Sequence, residues 1–145
     1  MEIQITLRHS VKKVDPEKIR TRVTKILEDL GYHNKELSIL FTNDEHIAEL
    51  NRLFLKRDGP TNVLAFPMGG GPESGPQTPM IGDIVISLDA AERDAEETGE
   101  DLDRTINRLL IHGFLHLLGY DHERSEADAR KMERETERLL HLVEC

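Results

Sequence analysis

Two periods of apolar residues alternate along this chain. Ile3, Ile5 and Leu7 are separated by Gln4 and Thr6, the period of two that predicts a strand with one buried face. After Asp15 the spacing lengthens: Ile19, Val23, Ile26, Leu27 and Leu30 form the apolar stripe of an amphipathic helix. Asp15 is placed to cap that helix, Pro16 is pre-set for its first turn, and Gly31 marks its end. Residues 37–41 are a short apolar run and predict a second strand. Thr42-Asn43-Asp44-Glu45 resembles a capping box, opening a helix expected to bury Ile47, Leu50 and Leu53. The order to this point is strand, helix, strand, helix.

Asp58-Gly59-Pro60 marks a turn, and residues 63–66 predict a short strand stopped by Pro67. Residues 68–80 hold Gly69-Gly70-Gly71-Pro72 and Gly75-Pro76, which regular structure does not accommodate, so a mobile loop is expected. It is not a phosphate-binding P-loop, because no Gly-Lys-Ser/Thr follows. Residues 81–88 resume as a strand. The acidic residues 89–103, with few apolar positions, predict a solvated helix and turn. From about Leu102, the residues Ile106, Leu109, Leu110, Phe114, Leu115 and Leu118 describe a helix apolar on most sides, which must lie in the core. Ser125 is expected to cap a last, strongly charged helix through residue 142, with Met132, Leu139, Leu140 and Val143 as its apolar face. No repeat or linker divides the chain, so residues 1–145 are expected to form one domain.

The core helix also carries the candidate chemistry. Residues 111–122 read Ile-His-Gly-Phe-Leu-His-Leu-Leu-Gly-Tyr-Asp-His. His112 and His116 are four apart, so on a helix their imidazoles project from one face about one turn apart. A continuing helix would carry His122 to the wrong side of the axis. Gly119 accepts the left-handed conformation that ends helices, which lets the chain leave the axis after Leu118 and swing His122 back. Three neutral imidazoles converging on one point would hold a zinc ion at roughly 2.0–2.1 Å and leave a fourth position for water. A single histidine on an apolar helix is more often a satisfied core residue. Two in one apolar run, without partners, would be costly to bury, and a metal removes that cost.

This rhythm resembles the metzincin peptidase motif, His-Glu-x-x-His-x-x-Gly-x-x-His, but Gly113 stands where the glutamate general base belongs. A closer resemblance is to the YbeY family of bacterial endoribonucleases, whose signature is similar to His112-Gly113-x-Leu115-His116-Leu117-x-Gly119-Tyr120-Asp121-His122. Residues 51–67 are similar to a second signature of that family: a Leu-Asn helix end, a basic loop, then Pro-Thr-Asp/Asn-Val-Leu-Ser-Phe-Pro. Here the chain departs from the pattern. Leu55 stands in place of the family's arginine and Ala65 in place of its serine, while Lys56 and Arg57 follow at once. Ile81-Gly82-Asp83-Ile84 is similar to the family's Leu-Gly-Asp-Ile segment.

The resemblance implies a metal-dependent endoribonuclease acting on single-stranded RNA, in maturation of small-subunit rRNA and in ribosome quality control. Its partners would be rRNA and ribosomal or ribosome-assembly proteins, not DNA. One zinc ion per chain would be held by His112, His116 and His122, polarising a phosphoryl oxygen and lowering the pKa of bound water to roughly 7. Arg57, or Lys56, would neutralise the scissile phosphate, Arg57 being the catalytic candidate in place of the missing arginine. The alternative for Arg52, Lys56 and Arg57 is a solvated helix end. Asp121 would stabilise the turn or orient a ligand imidazole. Two other functions stay open: a zinc peptidase-like hydrolase, and a non-enzymatic ribosome-assembly factor with a structural zinc. The expected architecture is α+β, a mixed sheet of about four strands packed with helices around the central histidine-bearing helix, with a zincin-like site.

Charge changes this picture in one respect. The net charge of −9 is unusual for an enzyme that binds phosphates. Residues 1–67 carry 11 Lys and Arg against 10 Asp and Glu, and residues 68–145 carry 8 against 18. A phosphate-facing surface is therefore expected to be a local groove drawing on the first half. The lone cysteine, Cys145, excludes an internal disulfide and a cysteine-rich zinc finger. No apolar run is long enough to span a bilayer or serve as a signal peptide, so a cytoplasmic protein without membrane contact is expected.

Overall fold

Alternation and capping decide most of the elements seen in the computed structural model, which describes residues 2–8, 14–32, 35–67, 80–120 and 125–144. Strand β1 (Glu2–Leu7) buries Ile3 and half-buries Ile5 and Leu7, with Glu2, Gln4 and Thr6 on its exposed face. Helix α1 (Pro16–Asp29) starts where Asp15 accepts the Glu17 amide at 3.0 Å, and buries Ile19, Val23, Ile26 and Leu27. Its end is sealed by Tyr32 N–H donating to the Leu27 carbonyl and Gly31 N–H to that of Glu28, the paired bonds of a Schellman motif. Strand β2 (Glu36–Thr42) sends Leu37, Ile39 and Phe41 into the core.

Helix α2 (Asp44–Leu50) shows two departures from the sequence expectation. Its cap is Asn43, whose Oδ1 accepts the His46 amide at 2.9 Å, so the box expected of Thr42 and Glu45 is not formed. The Thr42 hydroxyl pairs instead with His46 Nδ1 at 2.9 Å. The second departure is larger. After Leu50 the chain enters a π turn, Asn51–Leu55. A π turn holds more residues than an α turn, so each residue advances by a smaller angle and the apolar stripe loses its register. Ile47 is buried and Leu50 half-buried, but Leu53 is 57% exposed rather than buried.

Strand β3 (Val63–Pro67) pairs antiparallel with β4 (Met80–Ser87), and β1, β2 and β4 run parallel, giving a four-stranded mixed sheet in the order β1-β2-β4-β3. Residues 68–79, where a mobile loop was expected, lie outside the described residues. Helices α3 (Leu88–Thr98), α4 (Leu102–Leu117) and α5 (Glu126–Glu144) complete the α+β fold. The sheet's two faces are covered separately. Ile84 and Ile86 join Leu37, Ile39 and Phe41 in the main core beneath α1, α4 and α5, while Val85 and Leu64 pack with Ile47 of α2 in a smaller cluster.

Helix α3 is less solvated than its acidic composition predicts, because Leu88, Ala90, Ala91 and Ala95 are buried. Small alanines let that helix sit close to its neighbours without long apolar side chains. The final helix follows expectation: Ser125 Oγ accepts the Asp128 amide at 3.1 Å, and Met132, Leu139, Leu140 and Val143 are buried. No described helix is long and apolar enough to cross a membrane.

Candidate active site

Helix α4 places the two histidines by how tightly it lies on the sheet. A Cβ added at Gly113 would fall 2.9 Å from Ile84 Cγ2 and 3.2 Å from Val63 Cγ2, so glycine permits the close approach of the helix to β3 and β4. The same contact leaves no room at position 113 for the glutamate of a zinc peptidase. Flanking that contact, His112 and His116 are half-buried, with ring centroids 4.9 Å apart and planes inclined by 50°. The helix then ends as the glycine predicted. Gly119 has φ +94°, its amide donates to the His116 carbonyl, and Tyr120 N–H donates to the Leu115 carbonyl, both at 3.0 Å. This is again a Schellman motif, and it turns the chain off the axis directly after His116 and its neighbours.

Both imidazoles line a cavity of about 590 Å³. The facing wall comes from the π turn and the loop after it, with Asn51, Leu55 and Arg57, and from β3, with Ala65. Lys56 holds the left-handed conformation, φ +56°, which reverses the chain after the π turn. As a result Leu55 and Arg57, two positions apart in sequence, border the same cavity. Arg52, Lys56 and Arg57 are exposed, and among the described residues none has a carboxylate partner.

Asn51 is the residue that sequence reasoning passed over. It is 5% exposed and works as the latch of the loop: its carbonyl accepts the Arg57 amide at 3.3 Å, and its Nδ2 donates to the Gly59 carbonyl at 3.0 Å. A carbonyl only accepts, so the amide nitrogen must face Gly59 and Oδ1 must face the other way. There Oδ1 is buried with no hydrogen-bond partner among the described residues. The available signal was an asparagine directly after the apolar end of a helix, a poor helix former in a position that a solvated surface would not require.

His122 and Asp121 lie outside the described residues. Among the described residues no three His, Cys, Asp or Glu side chains cluster closely enough to hold a metal. The donor chemistry on α4 nevertheless fits a zinc ion: two imidazoles on one side of a helix, half-buried beside an open cavity, just before a sharp helix end at Gly119.

The comparisons with known proteins agree with one another. The family model described as Endoribonuclease YbeY matches residues 4–144. An Endoribonuclease YbeY from Aquifex aeolicus is 45% identical over 123 residues, covering 83% of this chain and 78% of that one. Another, from Geobacter sulfurreducens, is 41% identical over 145 residues, covering 99% of this chain and 97% of that one. The solution structure of a Thermotoga maritima protein shares the fold, with a TM-score of 0.66 over 97% of this chain and 88% of that one at 23% identity. By the extent of these matches, and with its histidine pair, cavity and basic loop in the arrangement described above, this chain belongs to the YbeY family of endoribonucleases.

Proposed function

We propose that the chain is a zinc-dependent endoribonuclease that cleaves single-stranded RNA, acts in small-subunit rRNA maturation and ribosome quality control, and works in the cytoplasm beside ribosomal or ribosome-assembly proteins. The observation that carries this reading is the convergence of His112, His116 and Arg57 on one cavity. His112, His116 and His122 would hold one zinc ion per chain. Bound there, zinc would supply a Lewis acid for a phosphoryl oxygen and lower the pKa of coordinated water.

The rest of the work falls to the chain's own groups. Arg57 would grip the phosphate being cleaved through paired N–H donors, and its exposed guanidinium needs no partner displaced first. Asn51 keeps the backbone of that arginine in place through its two bonds to the loop. The absence of space for a general base at position 113 argues against peptide hydrolysis by this site.

A matched assay tests the proposal. Wild type and His116→Ala are incubated with a single-stranded RNA and with a peptide, and bound metal is quantified in each sample. Cleavage of RNA alone, lost together with metal in the variant, is the expected result. RNA cleavage undiminished in metal-depleted His116→Ala would overturn it.

A further inference from the structure

The π turn does more than shift the register of α2. It brings Leu53, Phe54 and Leu55 to the surface together, 57%, 63% and 42% exposed, and these are the exposed large apolar residues among those described. Leu55 borders the cavity that holds the histidines, so the patch is continuous with the site. Phe54 is held without being covered: its ring meets Phe66 of β3 in an edge-to-face contact, centroids 5.6 Å apart at 66°. Such a contact occupies one edge or one face, and with the residue this exposed a broad ring surface stays open. Basic residues bracket the patch, with Arg52 before it and Lys56 and Arg57 after it.

An exposed aromatic ring set between cations matches the chemistry of an unpaired nucleotide, which offers a flat face and a negative phosphate. A protein partner would use the cations only if it carried carboxylates opposite them, whereas every unpaired nucleotide brings both a flat base and a phosphate to Arg52, Lys56 and Arg57, which have no carboxylate partner among the described residues. We propose that Phe54 is a stacking platform for one nucleobase of single-stranded RNA next to the cleavage site, with Arg52, Lys56 and Arg57 engaging the phosphates that flank it. This inference rests on the endoribonuclease reading and extends it to selection of strandedness. In a duplex both faces of each base are already stacked, so only an unpaired base can use the platform.

The chain contains no tryptophan, which makes the test direct. In a Phe54→Trp variant the indole is the sole tryptophan, and base stacking quenches its fluorescence. Mixed rapidly with a short single-stranded oligoribonucleotide and observed before cleavage, Phe54→Trp should show quenching. An otherwise identical oligonucleotide with abasic positions should not produce it. Phe54→Ala and Phe54→Leu should both weaken binding on the order of ten-fold or more, while Phe54→Trp keeps it. The excess of single-stranded over duplex binding should shrink in the Ala and Leu variants. Quenching by the abasic strand equal to that by the complete one, or Phe54→Leu binding as well as wild type, would overturn the platform and leave the patch to a protein partner. If wild type cleaves RNA and Phe54→Ala behaves identically, the platform alone fails. If wild type neither binds nor cleaves RNA, the endoribonuclease reading fails with it.

Discussion

Arg22, Arg93, Arg104, Arg108 and Arg138 lie on helices and each closes on a carboxylate, whereas Arg57, which lines the cavity, and Arg52, in the π turn leading to it, have no carboxylate partner among the described residues. On the helical side the pairs cross from element to element. Arg22 of α1 grips Asp103 of α4 with two nitrogens, at 2.9 and 2.8 Å, and reaches Asn107 at 3.1 Å. Glu100, just ahead of α4, accepts from Arg104, Arg108 and the Thr105 hydroxyl, and Arg108 also reaches Glu137 of α5. Arg138 of α5 joins Asp29 of α1 at 2.7 Å and also pairs with Glu135. At the cavity the cations are left exposed on a loop whose backbone, not its side chains, is tied down by Asn51.

The contrast separates charge that ties helices together from charge left open to solvent beside the cavity. A net charge of −9 supplies more than enough carboxylates to neutralise every arginine, so leaving this loop unpaired is a local arrangement and not a shortage. It also bears on how an acidic protein can attract a polyanion: a short basic rim stands apart from the interhelical pairs made by Arg22, Arg104, Arg108 and Arg138.

The comparison is sharpened most by His116→Ala. Removing one α4 imidazole should cost the several kcal/mol of transition-state stabilisation a Lewis acid provides, roughly a thousand-fold or more in RNA cleavage. Circular dichroism should show the fold retained, since His116 is only half-buried.

The next test sets one arginine of each kind side by side. Arg57→Ala should reduce RNA cleavage about ten- to a hundred-fold, the worth of a charged hydrogen bond to phosphate, with little change in Tm. Arg108→Ala should do the reverse, lowering stability by about 1–2 kcal/mol and Tm by a few degrees while the folded enzyme keeps its turnover. If Arg57→Ala instead lowered Tm as much as Arg108→Ala, the division between the two regions would collapse.

Gly113→Ala probes the contact that positions the pair. The new methyl would meet Ile84 of the packed core, and overpacking of this kind costs about 1–3 kcal/mol. Thermal melts should show that loss, together with weaker metal retention as α4 is pushed off β3 and β4.

The smallest expected effect is on acid stability. The Arg108 guanidinium, aided by the Thr105 hydroxyl, holds the Glu100 carboxyl below its ordinary value of 4.5, against the opposing effect of burial. Arg93 and then Ser87 likewise hold Asp44 below 3.8. A depressed carboxylate contributes stability that is full above its unfolded pKa and is lost as pH falls through the folded one. Glu100→Gln should therefore flatten the decline of stability between about pH 5 and pH 3, while changing the helix-to-helix region alone. An unchanged acid limb would show that Glu100 contributes nothing by ionisation.

Much of this was legible along the chain because local rules decided it. Asp15, Ser125, Gly31 and Gly119 cap or end helices by bonds within a few residues, and the alternation of β1 survives intact. His112 and His116 were readable for the same reason, since a four-residue spacing becomes adjacency on any helix. The π turn was not, because Leu50-Asn51-Arg52-Leu53 continues an α-helical pattern, and the bond from Asn51 to Gly59 that accompanies the turn joins residues across a loop. The buried alanines of α3 escaped notice because their burial comes from close helix packing, which a hydropathy pattern underweights. Sheet order depends on contacts between distant segments and left no mark in the periodicity.

The central claim is that one metal ion is gathered by His112, His116 and His122 beside the unpaired arginine. Elemental analysis of purified wild type and the three single His→Ala variants tests it most directly. The account predicts one zinc per chain in wild type and loss of most of it in each variant. Full zinc occupancy in His122→Ala would contradict it, since the third ligand would then be another group and the turn at Gly119 would serve the fold alone.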